Sequence, residues 1–203
     1  MADFTAKDVQ KLRQSAGVGM MDAKNALNET GGDVDAAMTL LREKGLSKMA
    51  KRADREASEG TIGSYLHTQG ERTVTGVLVQ LASETDFVAK SPDFADAARD
   101  IAMHVAWASP RWVSADEVPA DILEAEKDVI AKQAANEGKP EAVIPKIVEG
   151  RISKFYSENV LLDQQFVNAE KFEGTVGELI SQLAITMGEN ISIRAFSRLA
   201  VGE

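Results

Sequence analysis

The chain has 203 residues, 44% of them hydrophobic and 27% charged, which are values for a globular protein able to bury a core and exclude wholesale disorder. Thirty-two acidic against 23 basic residues leave a net charge of −9, a poor match to a phosphate backbone, so no direct nucleic-acid binding is expected. With no cysteine there is no disulfide, thiolate metal site or Cys nucleophile, and no run of about 18 apolar residues could span a membrane. The opening Met1-Ala2-Asp3-Phe4 lacks a charged-then-apolar leader, and a cytoplasmic protein is the expectation.

Charge is distributed unevenly. Residues 1–41 carry a net −2, residues 42–56 a net +3, and residues 57–203 a net −10. The basic stretch is free of Gly and Pro after Gly45 and reads as a linker helix over 46–58, either simply water-facing or touching an acidic partner.

The first 45 residues read as three short helices. Thr5 and Asp8 form a capping-box pattern, with Val9, Leu12 and Ala16 on one face of the helix that follows. Gly17 and Gly19 break it. Met20 to Asn28 forms a second helix carrying Met21, Lys24 and Leu27. Neighbours on a helix point about 100° apart, so one of Met20 and Met21 is expected in the core and the other in solvent. Gly31-Gly32 ends that helix, Asp33 caps a third with Ala36, Ala37, Leu40 and Leu41 on its buried stripe, and Gly45 is expected to stop it.

The second region opens with strands. Thr61–His67 and Thr73–Ala82 flank a hairpin turn, and Val77, Val79 and Leu81 share one face. Ser91-Pro92 caps a helix carrying Phe94, Ala98, Ile101 and Val105. Ser114–Gly138 and Glu141–Tyr156 read as two more helices, Thr175–Met187 as a shorter one, and Ile191, Ile193 and Ala195 mark a last strand. Strands at both ends with helices between make an α+β arrangement, an antiparallel sheet with a helical layer.

Markers of catalysis are missing. His67 and His104 stand far apart, each reading as a surface or satisfied residue. No HExxH, GxSxG or GxxxxGK[ST] occurs, and Gly17-Val18-Gly19 follows a helix and lacks the third glycine of a dinucleotide loop. The segment Glu84-Thr85-Asp86-Phe87-Val88-Ala89 connects strand to helix and leaves two readings open. Phe87 and Val88 fold back onto the core with Thr85 or Asp86 as a cap, or the aromatic is presented to a partner as a wedge.

Leu12-Arg13-Gln14-Ser15-Ala16-Gly17-Val18-Gly19-Met20-Met21-Asp22-Ala23-Lys24-Asn25-Ala26-Leu27 closely resembles the first signature of the elongation factor Ts family. Thr85-Asp86-Phe87-Val88-Ala89 resembles the second, and Gly31-Gly32-Asp33, Val148-Glu149-Gly150-Arg151 and Gly188-Glu189-Asn190-Ile191 are similar in order along the chain. Ser15, Val18, Ala23 and Met187 stand where family members often have Thr, Ala, Cys and Ile; Val18 and Met187 could alter contact packing.

The resemblance implies a ubiquitin-associated-like three-helix domain over 1–45 and the linker helix over 46–58. A single α+β dimerisation or core domain over 59–203 would follow, with a helical insertion corresponding to 114–156. It implies a nucleotide-exchange factor for elongation factor Tu with no covalent chemistry, no cofactor and no metal of its own. That partner would be engaged in its GDP-bound and nucleotide-free states. Thr85, Asp86, Phe87 and Val88 would dislocate the partner's Mg²⁺, Arg13, Met20 and Met21 would dock the N-terminal domain, and Met187 and Gly188 would make a further contact. Any homodimer must be non-covalent, with edge strands of the sheet as the candidate surface.

Overall fold

A computed structural model describes residues 4–203; of the opening residues read for a leader, Met1 to Asp3 lie outside the described part. Two compact units divide the chain. One comprises the described residues up to Gly60 with Ala82–Phe94 and Ile180–Ser192, the other Thr61–Leu81, Ala95–Leu179 and Ile193–Glu203. The architecture is α+β.

In the first unit, helix α1 (Ala6–Ala16) starts at the capping box. Thr5 Oγ1 accepts from Asp8 N at 3.3 Å, and the Asp8 carboxylate accepts from Thr5 N at 2.8 Å. The Thr5 hydroxyl, donating to the Asp8 carboxylate at 2.7 Å, and then the Thr5 amide hold the Asp8 carboxyl below its ordinary range. Gly17, at φ 62°, closes the helix in the left-handed region. Helices α2 (Met20–Glu29) and α3 (Val34–Ala50) complete a bundle whose core is Val9, Leu12, Ala23, Ala26, Leu27, Ala37 and Leu41. Asp33 caps α3 by accepting from the amides of Asp35 and Ala36, both at 3.0 Å.

Three expectations for this region are corrected. The buried stripe of α2 is Ala23, Ala26 and Leu27; Met21 and Lys24 face solvent. Ala36 is exposed, and Ala37 and Leu41 carry the α3 stripe with Leu40 half-buried. Gly45 does not stop α3, which runs on to Ala50. Gly45 is buried there, and a Cβ at that position would sit 2.8 Å from the Ile185 side chain. Its glycine serves close approach inside the helix rather than termination. Of the basic residues after Gly45 only Lys48 lies in α3; Lys51, Arg52 and Arg55 follow it in turns, so the expected linker helix over 46–58 ends at Ala50.

In the second unit, strands β1 (Glu59–Gln69), β2 (Arg72–Ser83) and β3 (Ser192–Ala200) form an antiparallel sheet in the order β1-β2-β3. Val77, Val79 and Leu81 turn to the buried side. A four-residue helical turn, α4 (Asp86–Ala89), which belongs to the first unit, follows β2 in the chain, and helix α5 (Pro92–Ala108) buries Phe94, Ala98, Ile101 and Val105. The approach of α5 to β1 is tight enough that a Cβ on Gly63 would lie 2.2 Å from the Ala98 carbonyl oxygen. Helices α6 (Ala120–Asn136) and α7 (Ile144–Asn159) pack as a hairpin, with Gly138 in the left-handed region after the first. Helix α8 (Val176–Met187) leads into β3; of the residues marking that strand, Ala195 is exposed.

His104 is fully buried and satisfied. Val167 N donates to its Nδ1 at 3.2 Å, so Nε2 carries the proton and donates to Gln164 Oε1 at 3.0 Å. Gln164 Nε2 in turn donates to the carbonyls of Ala108 and Glu158, at 3.3 and 2.9 Å, where α5 and α7 end. Burial pushes the His104 pKa below its ordinary 6.5, more than the Gln164 bond raises it. Among the described residues no helix is long and apolar enough to cross a membrane.

Candidate functional site

The connector after β2 resolves the two readings of Phe87. Val88 is buried, with 7% of its surface exposed, whereas Phe87 is 83% exposed. Only half of the fold-back reading therefore holds: Val88 and Ala89 go inward, and the ring one residue before them stands in water. A helical turn produces this split because successive side chains diverge by about 100°. Thr85 is the N-cap, its Oγ1 accepting from Val88 N at 3.4 Å, and Ser83 Oγ donates to the Thr85 carbonyl at 3.1 Å.

Asp86 sits in the first turn, and its carboxylate accepts from Lys90 Nζ at 2.6 Å. That bond and the lysine's charge hold the Asp86 carboxyl below its usual range and raise Lys90 above its own. Both side chains are open to solvent, so the pair is available to be exchanged for another charged group.

The turn is braced by residues remote in sequence. Glu189 Oε2 accepts from the backbone amides of Glu84 and Thr85 at 3.0 and 3.1 Å, and its Oε1 accepts from Thr85 Oγ1 at 2.6 Å. Glu84 reciprocates: its Oε1 accepts from Asn190 N at 2.7 Å and its Oε2 from the Arg55 guanidinium at 3.3 Å. The Asn190 amide, then Arg55, keep the Glu84 carboxyl below its ordinary value. Asn190 Nδ2 closes the network by donating to the carbonyls of Ala53 and Arg55, at 3.2 and 2.8 Å. No catalytic pattern pointed to Glu84, Arg55, Glu189 and Asn190 as a group. Their trace in the sequence was the run of polar residues in the two motifs, Glu84-Thr85 and Gly188-Glu189-Asn190.

The other expected contact residues belong to the same compact unit as the turn. Arg13 is exposed on α1. Met20 and Met21, 48% and 64% exposed, both face solvent, which corrects the expectation that one would be core. The buried stripe of α2, Ala23, Ala26 and Leu27, begins after them. Met187 and Gly188 are half-buried at the end of α8, where Gly188 takes φ 74° and its amide donates to the Ala184 carbonyl at 2.9 Å.

A cavity of about 330 Å³ in this unit is lined by residues including Gly17, Asp22, Glu29, Lys44 and Lys48. Two of its lysines are paired, Lys44 with Glu29 at 2.7 Å and Lys48 with Asp22 at 3.9 Å, and Arg52 also lines it. Among the described residues no group of three or more His, Asp or Glu side chains converges as a metal site.

An exposed aromatic on a braced turn, with exposed methionines in the same unit, is the build of an α+β protein-interaction module. The family described as Elongation factor TS matches residues 3–203. The chain is 48% identical to elongation factor Ts of Solidesulfovibrio magneticus over 203 residues, covering 100% of this chain and 99% of that protein. It is 50% identical to that of Alkaliphilus metalliredigens over 200 residues, 98% of this chain and 90% of the relative. With that of Fervidobacterium nodosum it shares 46% identity over 201 residues, 99% and 100% of the two chains. The chain belongs to the elongation factor Ts family.

Proposed function

We propose that this protein promotes guanine-nucleotide exchange on elongation factor Tu in the cytoplasm during translation elongation, without covalent chemistry. Family membership supports the role, and the observation that carries the mechanism is the solvent-exposed ring of Phe87 on a turn fixed from both sides. The N-terminal module over 1–45 docks on the GDP-bound partner through Arg13, Met20 and Met21. Methionine is unbranched and adaptable, suited to a contact that must form and release. Thr85, Asp86, Phe87 and Val88, within the core over 59–203, form the element that enters the partner, with Val88 as its buried anchor. Phe87 wedges apart packed side chains there, and the partner's Mg²⁺ is dislocated. Met187 and Gly188 add a further contact.

Burying a phenylalanine is worth about 1.5–3 kcal/mol. At about 1.4 kcal/mol per tenfold, the wedge weakens GDP by roughly ten- to a hundredfold. Mg²⁺ loss adds to this because the metal bridges phosphates and protein. Linkage is reciprocal: the nucleotide-free complex is tight and GTP rebinding dissolves it. The test is the rate of release of labelled GDP from elongation factor Tu with and without this protein; an unchanged rate rejects the proposal.

A non-covalent homodimer through the sheet is also proposed. The order β1-β2-β3 leaves two edge strands, and Ile62, Leu66 and Leu78 are exposed on the face opposite Val77 and Val79. Sedimentation equilibrium of the wild type and Leu66→Glu distinguishes the states: a dimer that the substitution dissociates is expected, and a monomeric wild type rejects it.

A further inference from the structure

Phe87 contributes nothing to holding its own turn, because its ring contacts water over most of its surface. A helical segment of four residues is far below the length at which a helix holds itself. The orientation of the ring must therefore be imposed from outside the turn. Burial of Val88 and Ala89 supplies one constraint. The second is the carboxylate of Glu189, more than 100 residues away in sequence.

Glu189 acts on the residue that caps the turn. It takes the Thr85 backbone proton on one oxygen and the Thr85 hydroxyl proton on the other. With its proton committed to Glu189, the hydroxyl presents a lone pair to Val88 N, the capping bond of the turn. The carboxylate thus fixes the Thr85 side-chain torsion and, through it, the cap from which Phe87 projects. Charge-assisted bonds of this kind are the shorter and stronger class. Glu84 returns the arrangement by binding the amide of Asn190, so segments 84–85 and 189–190 each place a carboxylate on the other's backbone. Glu189 directly follows Met187-Gly188, so one network ties together two segments proposed to contact the partner.

We infer that Glu189 is a positioning residue for nucleotide exchange: it holds the Thr85 cap so that Phe87 is set in its entering pose before the partner arrives. This rests on the reading of Phe87 as the wedge. Ordering the turn ahead of contact removes a cost that would otherwise be met on entry, and that benefit falls on the release step more than on docking. Glu189 need touch neither nucleotide nor partner.

The experiment follows stopped-flow release of fluorescent GDP from elongation factor Tu against the concentration of the full-length factor, with melting curves for every variant. Glu189→Ala is expected to lower the saturating release rate about tenfold while the half-saturating concentration moves less than about threefold. Glu189→Gln keeps an acceptor oxygen for the two amides and can donate its NH₂ to the Thr85 hydroxyl, so most of the rate is expected back, within about threefold of wild type. In a Phe87→Ala background, Glu189→Ala should add nothing, since there is no ring left to position.

If Phe87→Ala loses stimulation but Glu189→Ala retains the wild-type saturating rate, the wedge stands and the positioning role is overturned. The role is equally overturned if Glu189→Ala slows the Phe87→Ala protein by the same factor as wild type. If Phe87→Ala itself keeps the wild-type rate, wedge and positioning fall together. Should Glu189→Ala melt below assay temperature, Thr85→Val breaks the hydroxyl relay with little change of shape. A lowered saturating rate at unchanged half-saturation supports the inference in that variant, and an unchanged rate rejects it.

Discussion

The three-helix bundle and the four-residue turn α4 belong to the same compact unit, yet they are held together by opposite means. The bundle rests on apolar side chains recurring at helical spacing within 33 residues, Val9 to Leu41. The turn buries only Val88 and Ala89 and depends on carboxylate, amide and guanidinium groups brought from residues 53–55 and 189–190. A bundle of the first kind is a platform that survives loss of any one surface contact. A turn of the second kind can carry a large apolar ring in water because polar bonds, not the ring, set its position.

The sharpest separation comes from the bundle core. Leu27 is fully buried among the residues of all three helices, and Leu27→Ala should cost about 2–5 kcal/mol through lost transfer energy and the cavity left behind. Thermal unfolding followed by circular dichroism reads this directly. Survival of the wild-type midpoint would mean that the bundle is braced from elsewhere, and the contrast with the turn would collapse.

Phe87→Ala should do the reverse. Exposed in the free protein, the ring has little to lose on truncation, so the stability should stay within about 0.5 kcal/mol of wild type. The release of GDP from elongation factor Tu, by contrast, should slow about ten- to a hundredfold. A stability loss as large as that of Leu27→Ala would mean the ring packs within its own molecule in solution.

Met21→Ala is expected to have a smaller effect, of about 1 kcal/mol, and on affinity rather than rate. Titration calorimetry against nucleotide-free elongation factor Tu checks it. Met21 is the more exposed of the pair, so Met20→Ala should weaken the complex less. Equal, wild-type affinity for both would remove the methionines from the docking surface.

The same division explains what the sequence made legible. Periodicity carried the hairpin and the buried residues of α1, β2 and α5, because each pattern is a local consequence of a 3.6- or 2-residue repeat, while the helix read over Ser114–Gly138 begins only at Ala120, after Pro119. It failed where a single residue answered to something distant. Gly45 resembled a helix stop, but its missing side chain accommodates Ile185, which lies 140 positions later. Helix geometry alone divides Met20 and Met21 between core and solvent, whereas both are exposed. At Phe87 and Val88 the sequence leaves two readings open, because which way the turn faces depends on residues remote in the chain, Glu189 and Asn190 among them. Polar networks between residues over 100 positions apart leave no period in a sequence, only clusters of Glu, Thr and Asn whose partners have to be found in space.

The smallest expected effect is also the one that isolates the polar brace. The Glu84 carboxyl is held below its ordinary 4.5 by the Asn190 amide and Arg55. A depressed carboxyl stabilises the folded form above its unfolded value, and that contribution is lost as pH falls through the folded one. Acidification from about pH 6 to about pH 3 should therefore loosen the turn while the apolar bundle core remains. In the bundle the first turn of α1 should fray, because Asp8 is also held low by Thr5, but Leu27 and Leu41 have no titrating partner to lose. The amide chemical shift of Asn190, which donates to the Glu84 carboxylate, should move with a midpoint below 4.5, and that of Leu27 should stay in place. Glu84→Gln should abolish the Asn190 transition without shifting the bundle. Movement of Asn190 with an ordinary carboxylate midpoint, or simultaneous movement of the Leu27 amide, would show that the turn and the bundle respond as one body and that the brace is not a separate device.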